Sequence, residues 1–462
     1  MARGDARRRL PPPLGILAVG VMVPGVASSM SGAAPAAPLA AAMYGLAIVG
    51  AAFLLAWAAE AAQVDISAGL AIAVLALIAV LPEYAVDLVF TWRSGVAAAA
   101  YGPGCRAPGE ATSACSLALA NMTGANRILV GVGWALVVLI AWRRARARGV
   151  PAAEASTIRL GRPDAVPLAF LAVASVYCLL LPFKRTLTLA DAAILLAVFG
   201  AYTWRISRAP AGKPDLLGPS AWVGALPRRR RRLTVIGMFA VAGAVIVLTV
   251  ERFAEALLDT GAELGISEFF LVQWLAPLAS EAPELLVAGL YAWRLHTREA
   301  LGALVSSKVN QWTLLVGTLP VVFAVSSGGL SGLPIDQVQR EELLLTAAQS
   351  LLAVALLIER TLTVRAAALL LGLFFAQFVV GALVPDDLRV GERLGLSAVY
   401  LLLAAVALVR SRAAVGPLLR DGLTASHHAL GDPVCCTTAG HLRLRDHTVP
   451  PGRSTVTGVR HR

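Results

Sequence analysis

Residues 75–93 read LALIAVLPEYAVDLVFTWR, and residues 276–294 read APLASEAPELLVAGLYAWR. At an offset of 201 positions, from Glu83 to Glu284, Pro82 meets Pro283, Val86 meets Val287, Trp92 meets Trp293 and Arg93 meets Arg294. Just upstream, Ile66-Ser67 finds Ile266-Ser267. Downstream, NRILVGVG (126–133) lies beside NQWTLLVG (310–317). Self-similarity at nearly half the chain length implies two homologous halves. Each half carries a Pro-Glu pair in an apolar stretch. An ionised carboxylate in lipid costs about 2.5–3.5 kcal/mol on insertion scales, so both glutamates need a compensating role.

The surroundings are membrane-like. Of 462 residues, 58% are hydrophobic and 15% charged, with mean hydropathy +0.73; soluble domains carry about 25% charged residues. A spanning helix needs about 20 apolar residues. Candidate spans lie near 12–31, 37–59, 67–91, 116–142, 166–183, 187–204, 233–250, 268–292, 300–325, 343–358, 363–384 and 394–410. The expected fold is therefore an all-α polytopic membrane protein of about twelve helices. Its segments would be a basic N-terminus with a peripheral helix (1–36), a first repeat (37–205), a basic linker (206–232), a second repeat (233–384), a peripheral helix (385–412) and a disordered tail (413–462).

The net charge of +12 does not point to nucleic acid. Its arginines sit in short clusters between apolar segments, as on the cytoplasmic side of a membrane protein, and no zinc-finger spacing or aromatic–basic interleaving appears. The first span also fits a cleaved signal peptide, but retaining it makes the charge count work. With both termini in the cytoplasm of a multi-pass cell-membrane protein, the clusters at 143–148, 227–232 and 294–298 face inward. The loop at 94–115 and the acidic segment 251–263 then face outward. The loop at 60–66, with Glu60 and Asp65, is the exception. This topology runs the Glu83 helix outward and the Glu284 helix inward. The five-helix halves are then inverted repeats, as in secondary transporters that bind substrate where the halves meet.

Five cysteines are too few for a disulfide scaffold. Cys105 and Cys115 share a Gly/Pro-rich loop and could pair if it is extracytoplasmic; on spacing alone, two free thiols fit as well. The tail holds five of the six histidines and Cys435/Cys436. It shows no metal-ligand spacing and reads as disordered.

Proline at Pro82 and Pro283 removes a backbone hydrogen bond, so each should kink its helix and free carbonyl oxygens. A hard cation wants such oxygens together with carboxylates. At this point the chain resembles the cation/calcium exchanger superfamily (the sodium/calcium exchanger membrane region), as a divergent bacterial-type member. The family's Gly-Thr/Ser-Ser-x-Pro-Glu appears here as IAVLPE (78–83) and ASEAPE (279–284). Its Gly-Ser-Asn-x-x-Asn/Asp appears as MTGANR (122–127) and SSKVNQ (306–311). The likeness spans most of residues 37–384. It implies Glu83 and Glu284 as the principal cation carboxylates, with Thr123, Ser280 and Ser307 as oxygen donors and Glu281 and Gln311 beside them.

The departures are informative. Ala79 and Val80 replace hydroxyls in the first copy, while the second adds Glu281, one turn from Glu284. Asp87 lies one turn beyond Glu83. Where the family keeps Asn or Asp, this chain has Arg127 and Gln311, following Asn126 and Asn310, and Lys308 shares a helix face with Gln311. The intramembrane count is thus four acids (Glu83, Asp87, Glu281, Glu284) against Arg127 and Lys308. The two cations either pair with the acids as structural bridges or stand where an exchanger binds a cation. On the second reading fewer cations bind and protons take over the coupling, Lys308 pairing with Glu281 and Glu284.

The resemblance implies a secondary cation antiporter (cation/H⁺ or Na⁺/Ca²⁺ type) working by alternating access between inorganic cations and the lipid bilayer's two faces. The alternative is a transport-inactive membrane sensor or scaffold, its carboxylates locked by Arg127 and Lys308. An enzyme is not expected: the zincin, nucleophile-elbow and P-loop motifs are missing, and no cofactor is expected beyond the transported cation.

Overall fold

The computed structural model describes residues 13–430, save 34, 66–80, 109–111, 210–215, 217, 384 and 386–387. The Ile66-Ser67 pair, IAVL at 78–81 before its last residue, Asp386/Asp387, and the tail with Cys435/Cys436 lie outside the described residues.

Among the described residues twelve helices fall on the twelve apolar stretches, the third of them over 81–91. They are α1 (Pro13–Ser31), α2 (Ala37–Ala62), α3 (Leu81–Tyr101), α4 (Ala114–Ala147), α5 (Ala165–Cys178), α6 (Leu189–Ile206), α7 (Arg228–Leu264), α8 (Glu268–Trp293), α9 (Thr297–Ser327), α10 (Gln337–Leu357), α11 (Val364–Leu383) and α12 (Arg389–Arg410). Among the described residues, nine helices are long and apolar enough to cross a membrane. The three outside that count, α3, α8 and α10, carry Glu83 and Asp87, Glu281 and Glu284, and Glu341 and Glu342.

Local chemistry sets the helix ends. Ser113 accepts the Ser116 N–H to start α4, Thr188 and Asp191 form a reciprocal capping box at α6, and Asp336 accepts the Gln339 N–H at α10. Such caps satisfy donors that the first turn leaves free. Gly265 and Gly328, at φ +65 and +68, end α7 and α9 in the left-handed region open to glycine.

The halves are α2–α6 and α7–α11, and their packing is reciprocal. α8 packs on α4, α3 packs on α9, and α2 packs on α7. Two antiparallel ribbons cross between halves. Thr157–Arg159, before α5, pairs with Thr361–Thr363, after α10. Thr186-Leu187, after α5, pairs with Leu333-Pro334, before α10. The two ribbons therefore close opposite ends of α5 and α10, as an inverted repeat requires. α1 packs on α2, and α12 packs on α10.

Glycine allows the closest approaches. A Cβ on Gly124 of α4 would lie 1.6 Å from the Gln273 carbonyl oxygen of α8. That carbonyl lacks its usual helical donor, because Pro277 has no N–H. A Cβ on Gly95 of α3 would lie 1.8 Å from the Ser326 Oγ of α9.

The structure decides one open reading and revises several expectations. Cys105 and Cys115 form a disulfide with Cα atoms 5.6 Å apart. α8 stays continuous through Pro277 and Pro283. Pro82 is the second residue of the described part of α3, and the turn before it, where its kink would fall, lies outside the described residues. Among the described residues, irregular helical backbone lies in α4 and α9, as π-helical turns at Leu129–Trp134 and Gln311–Leu315. The tail does not begin at residue 413. A helix α13 (Arg412–Leu423) docks on α5, with Gly422 against the Ala165 carbonyl and the Gly422 carbonyl accepting Arg205 Nε at 2.6 Å. Glu60 and Asp65 are drawn into the basic linker. Asp65 accepts Arg231 at 2.7 and 2.8 Å, and these hydrogen bonds hold its carboxyl below the ordinary range.

Candidate functional site

The Pro-Glu helices and the π-turned helices meet at the centre of the molecule. The Gln311 side chain of α9 bridges the halves there. Its amide N–H₂ donates to Glu281 Oε1 of α8 and, at 3.5 Å, to Glu83 Oε2 of α3. On the next turn of α8, Glu284 accepts the Ser307 hydroxyl at 2.9 Å. Asp87 accepts the Asn121 amide at 2.8 Å. Glu83, Asp87 and Glu281 are buried at 3%, 1% and 1% exposure, while Glu284 is half-buried.

The centre has more acceptors than donors. Glu83 Oε1, Asp87 Oδ2, Glu281 Oε2, Asn121 Oδ1, Asn310 Oδ1 and Gln311 Oε1 are buried and accept no hydrogen bond. Native structures leave few buried polar atoms unpaired, and each asks for an explanation. Only oxygens are left over here, supplied by both halves; a hard cation or protons would satisfy them. Among the described residues no trio of His, Cys, Asp or Glu side chains converges as a metal cage; the acids that Gln311 joins are Glu83 and Glu281.

The two buried cations do not sit where the charge count placed them. Lys308 was expected against Glu281 and Glu284. Its ammonium instead crosses to the first half and donates to the Asn126 backbone oxygen at 2.6 Å and side-chain oxygen at 2.7 Å. Trp312 lies 5.3 Å beneath it. Arg127 was counted against the four acids as a group. Its guanidinium instead contacts Glu342 of α10 at 2.5 Å and lies 5.0 Å from the Trp274 ring. Glu342 also accepts Gln273 at 3.0 Å and Arg393 of α12 at 2.9 Å. The side chains of α12 thus reach the repeat core.

The hydroxyls divide. Ser307 serves Glu284. Thr123 joins the Arg127 group, donating to the Ala120 carbonyl and accepting from Gln273 at 3.4 Å. Ser280 donates to the Ala276 and Pro277 carbonyls of its own helix. Sequence reasoning missed Gln273, Asn121, Glu341 and Glu342. The last two had a signal, since paired acids stand immediately before the apolar run 343–358.

A cavity reaches the Glu284 side of this centre. It has a volume of about 460 Å³, meets Pro283, Glu284, Ser307 and Asn310, and extends to Glu60 and Gln63 at the end of α2.

The profile of the sodium/calcium exchanger protein family matches residues 36–207 and 234–383, breaking at the basic linker. A solved structure of an H⁺/Ca²⁺ exchanger, CAX, is similar at TM-score 0.79 with 36% identity, over 90% of this chain and 97% of that one. The Ca²⁺/H⁺ antiporter protein YfkE is similar at TM-score 0.53 with 15% identity, over 84% of this chain and 99% of that one, a likeness of fold alone. Among curated proteins none matches the chain. Because the profile covers both inverted halves and the CAX likeness covers nearly the whole chain, the protein is a member of the sodium/calcium exchanger family.

Proposed function

We propose that this chain is a secondary cation antiporter that exchanges Ca²⁺ for H⁺ by alternating access. The carrying observation is that Gln311 joins Glu83 of one half to Glu281 of the other, and each of these buried carboxylates keeps one oxygen without a hydrogen-bond partner. The likeness to an H⁺/Ca²⁺ exchanger supports the choice of ions. Glu83, Glu281 and Glu284 would supply negative charge, while Asn310 and Gln311 add amide oxygens. Either a dehydrated Ca²⁺ or carboxyl protons would satisfy these atoms, and that competition is what coupling requires. Glu284 faces a cavity, which supports a state open on that side.

Topology follows the arginines: both termini and the 206–232 linker in the cytoplasm, the Cys105–Cys115 loop outside. The cavity ending at Glu60 then opens to the cytoplasm. The arrangement of the two cations counts against a transport-inactive scaffold, because Arg127 is held by Glu342 and Lys308 by Asn126, leaving the central carboxylates without an ion pair among the described residues.

The test is ion flux in proteoliposomes under an imposed pH gradient, with Ca²⁺, Mn²⁺, Na⁺ and K⁺ compared. Ca²⁺ uptake driven by the gradient is expected. Absence of gradient-driven flux for every cation would leave the scaffold reading standing.

A further inference from the structure

The cavity at Glu284 has a second acidic end. Glu60 lies in the last turn of α2 and lines the cavity with Gln63, far along the chain from Glu284. Among the described residues, Glu60 and Glu284 are its only charged lining groups; the rest is apolar, hydroxyl or amide. That is notable in a chain of net charge +12 whose densest arginine run, 228–232, lies close by. Arg228, Arg231 and Arg232 all turn to Asp65, five residues beyond Glu60. Asp65 thereby draws basic charge away from the cavity lining. The Glu60 carboxylate is itself held in place, because Ser220, on the short linker helix Pro219–Gly224, donates to Glu60 Oε2 at 2.5 Å.

A cleft lined by one sign of charge with low-dielectric walls concentrates the opposite ion and raises its arrival rate. A cation shedding its water on the way to a buried site gains from a carboxylate met part-way. We infer that Glu60, oriented by Ser220, is an outer, low-affinity site for a hydrated divalent cation, and that this site feeds Glu284 from the cavity side. It rests on the cation-exchange reading above. It adds a binding residue outside the repeat motifs and gives the interhalf linker a part in it.

The test uses full-length protein in membrane vesicles of both orientations, with Ca²⁺ supplied to one side at a time. Glu60→Gln keeps the Ser220 hydrogen bond and removes only the charge. It should raise the half-saturating Ca²⁺ concentration on the cavity side by about tenfold, within the range such focusing produces, and the loss should be recovered at saturating Ca²⁺. The opposite side should keep the parent's value, and Glu60→Asp should restore most of the cavity-side affinity. Unchanged half-saturation on the cavity side, or an equal change on both sides, overturns the inference while the exchange reading stands. A parent protein without flux for any cation overturns both.

Discussion

Arg127 and Glu342 form an ion pair across the two halves of the molecule, at 1% and 6% side-chain exposure. Glu342 is shared, because Gln273 and Arg393 bond to it as well. One carboxylate thus holds together α4 from the first half, α8 and α10 from the second, and α12 from outside both. Removing one partner of a buried pair leaves an uncompensated charge, which typically costs about 3–5 kcal/mol. Glu342→Gln should therefore lower the detergent-solubilised melting temperature sharply. The double variant Arg127→Gln/Glu342→Gln should recover part of the loss. Additive losses in that cycle would mean the two residues are not coupled.

Glu83→Gln and Glu284→Gln should each abolish gradient-driven Ca²⁺ flux while leaving the protein monodisperse and inserted. Glutamine matches glutamate in shape, and the Gln311 and Ser307 neighbours can still bond it. What it lacks is the charge that a divalent cation needs. Parent-like flux in the double variant would remove these residues from the ion path.

The repeat, the twelve helices and the Pro-Glu residues are legible in the sequence, because each rests on a pattern that survives without partners: apolar length, or a fixed offset. The partners of Arg127 and Lys308 are not. Glu342 lies 215 positions beyond Arg127 and Asn126 lies 182 before Lys308. Such contacts are made by an inverted fold that pattern does not specify residue by residue. Counting charges put both cations among the four acids because the apolar span 343–358 leaves Glu341 and Glu342 outside it, whereas α10 starts at Gln337 and carries them inside. The docked α13 was missed for another reason. Its contact with α5 depends on Gly422 closing on the Ala165 backbone, and composition alone gives no sign of that.

The linker pair gives a pH prediction. Arg231 holds the Asp65 carboxyl below the ordinary range, so the folded value is depressed. Its contribution is present above the unfolded value, ~3.9, and is lost as pH falls through the folded one. Asp65→Asn should melt below the parent at neutral pH, and the gap should close only under acid conditions below about pH 4. A gap that closed between pH 8 and pH 6 would assign the effect to another group.

The Cys105–Cys115 disulfide bears on topology, since such bonds persist in oxidising compartments. With Cys178, Cys435 and Cys436 replaced by serine, an impermeant maleimide should label intact cells only after an impermeant reductant is added. A single cysteine placed near residue 225 should stay unlabelled until the membrane is opened. The reverse pattern would invert the assignment of both faces and, with it, the cytoplasmic opening of the Glu60 cavity.

Lys308 is buried at 0% exposure with two neutral oxygens, both from Asn126, as its hydrogen-bond acceptors. An ammonium coordinated by amide oxygens stands in for a monovalent cation, tethered to the protein. It lies one helical turn from Gln311, which bonds Glu281 and Glu83. A divalent cation arriving at those carboxylates would repel the ammonium, and the cheapest response is for Lys308 to give up its proton. Cation entry and proton release would then be linked through one residue. Lys308→Gln keeps a donor for Asn126 and removes the charge. In that variant the half-saturating Ca²⁺ concentration should vary less steeply with pH than in the parent, and gradient-driven flux should weaken or come to depend on added Na⁺. Lys308→Arg, which cannot release its proton, should block Ca²⁺ exchange altogether. If both variants kept the parent's pH profile, the ammonium would be a fixed counter-charge, and the carboxylates alone would carry the coupling.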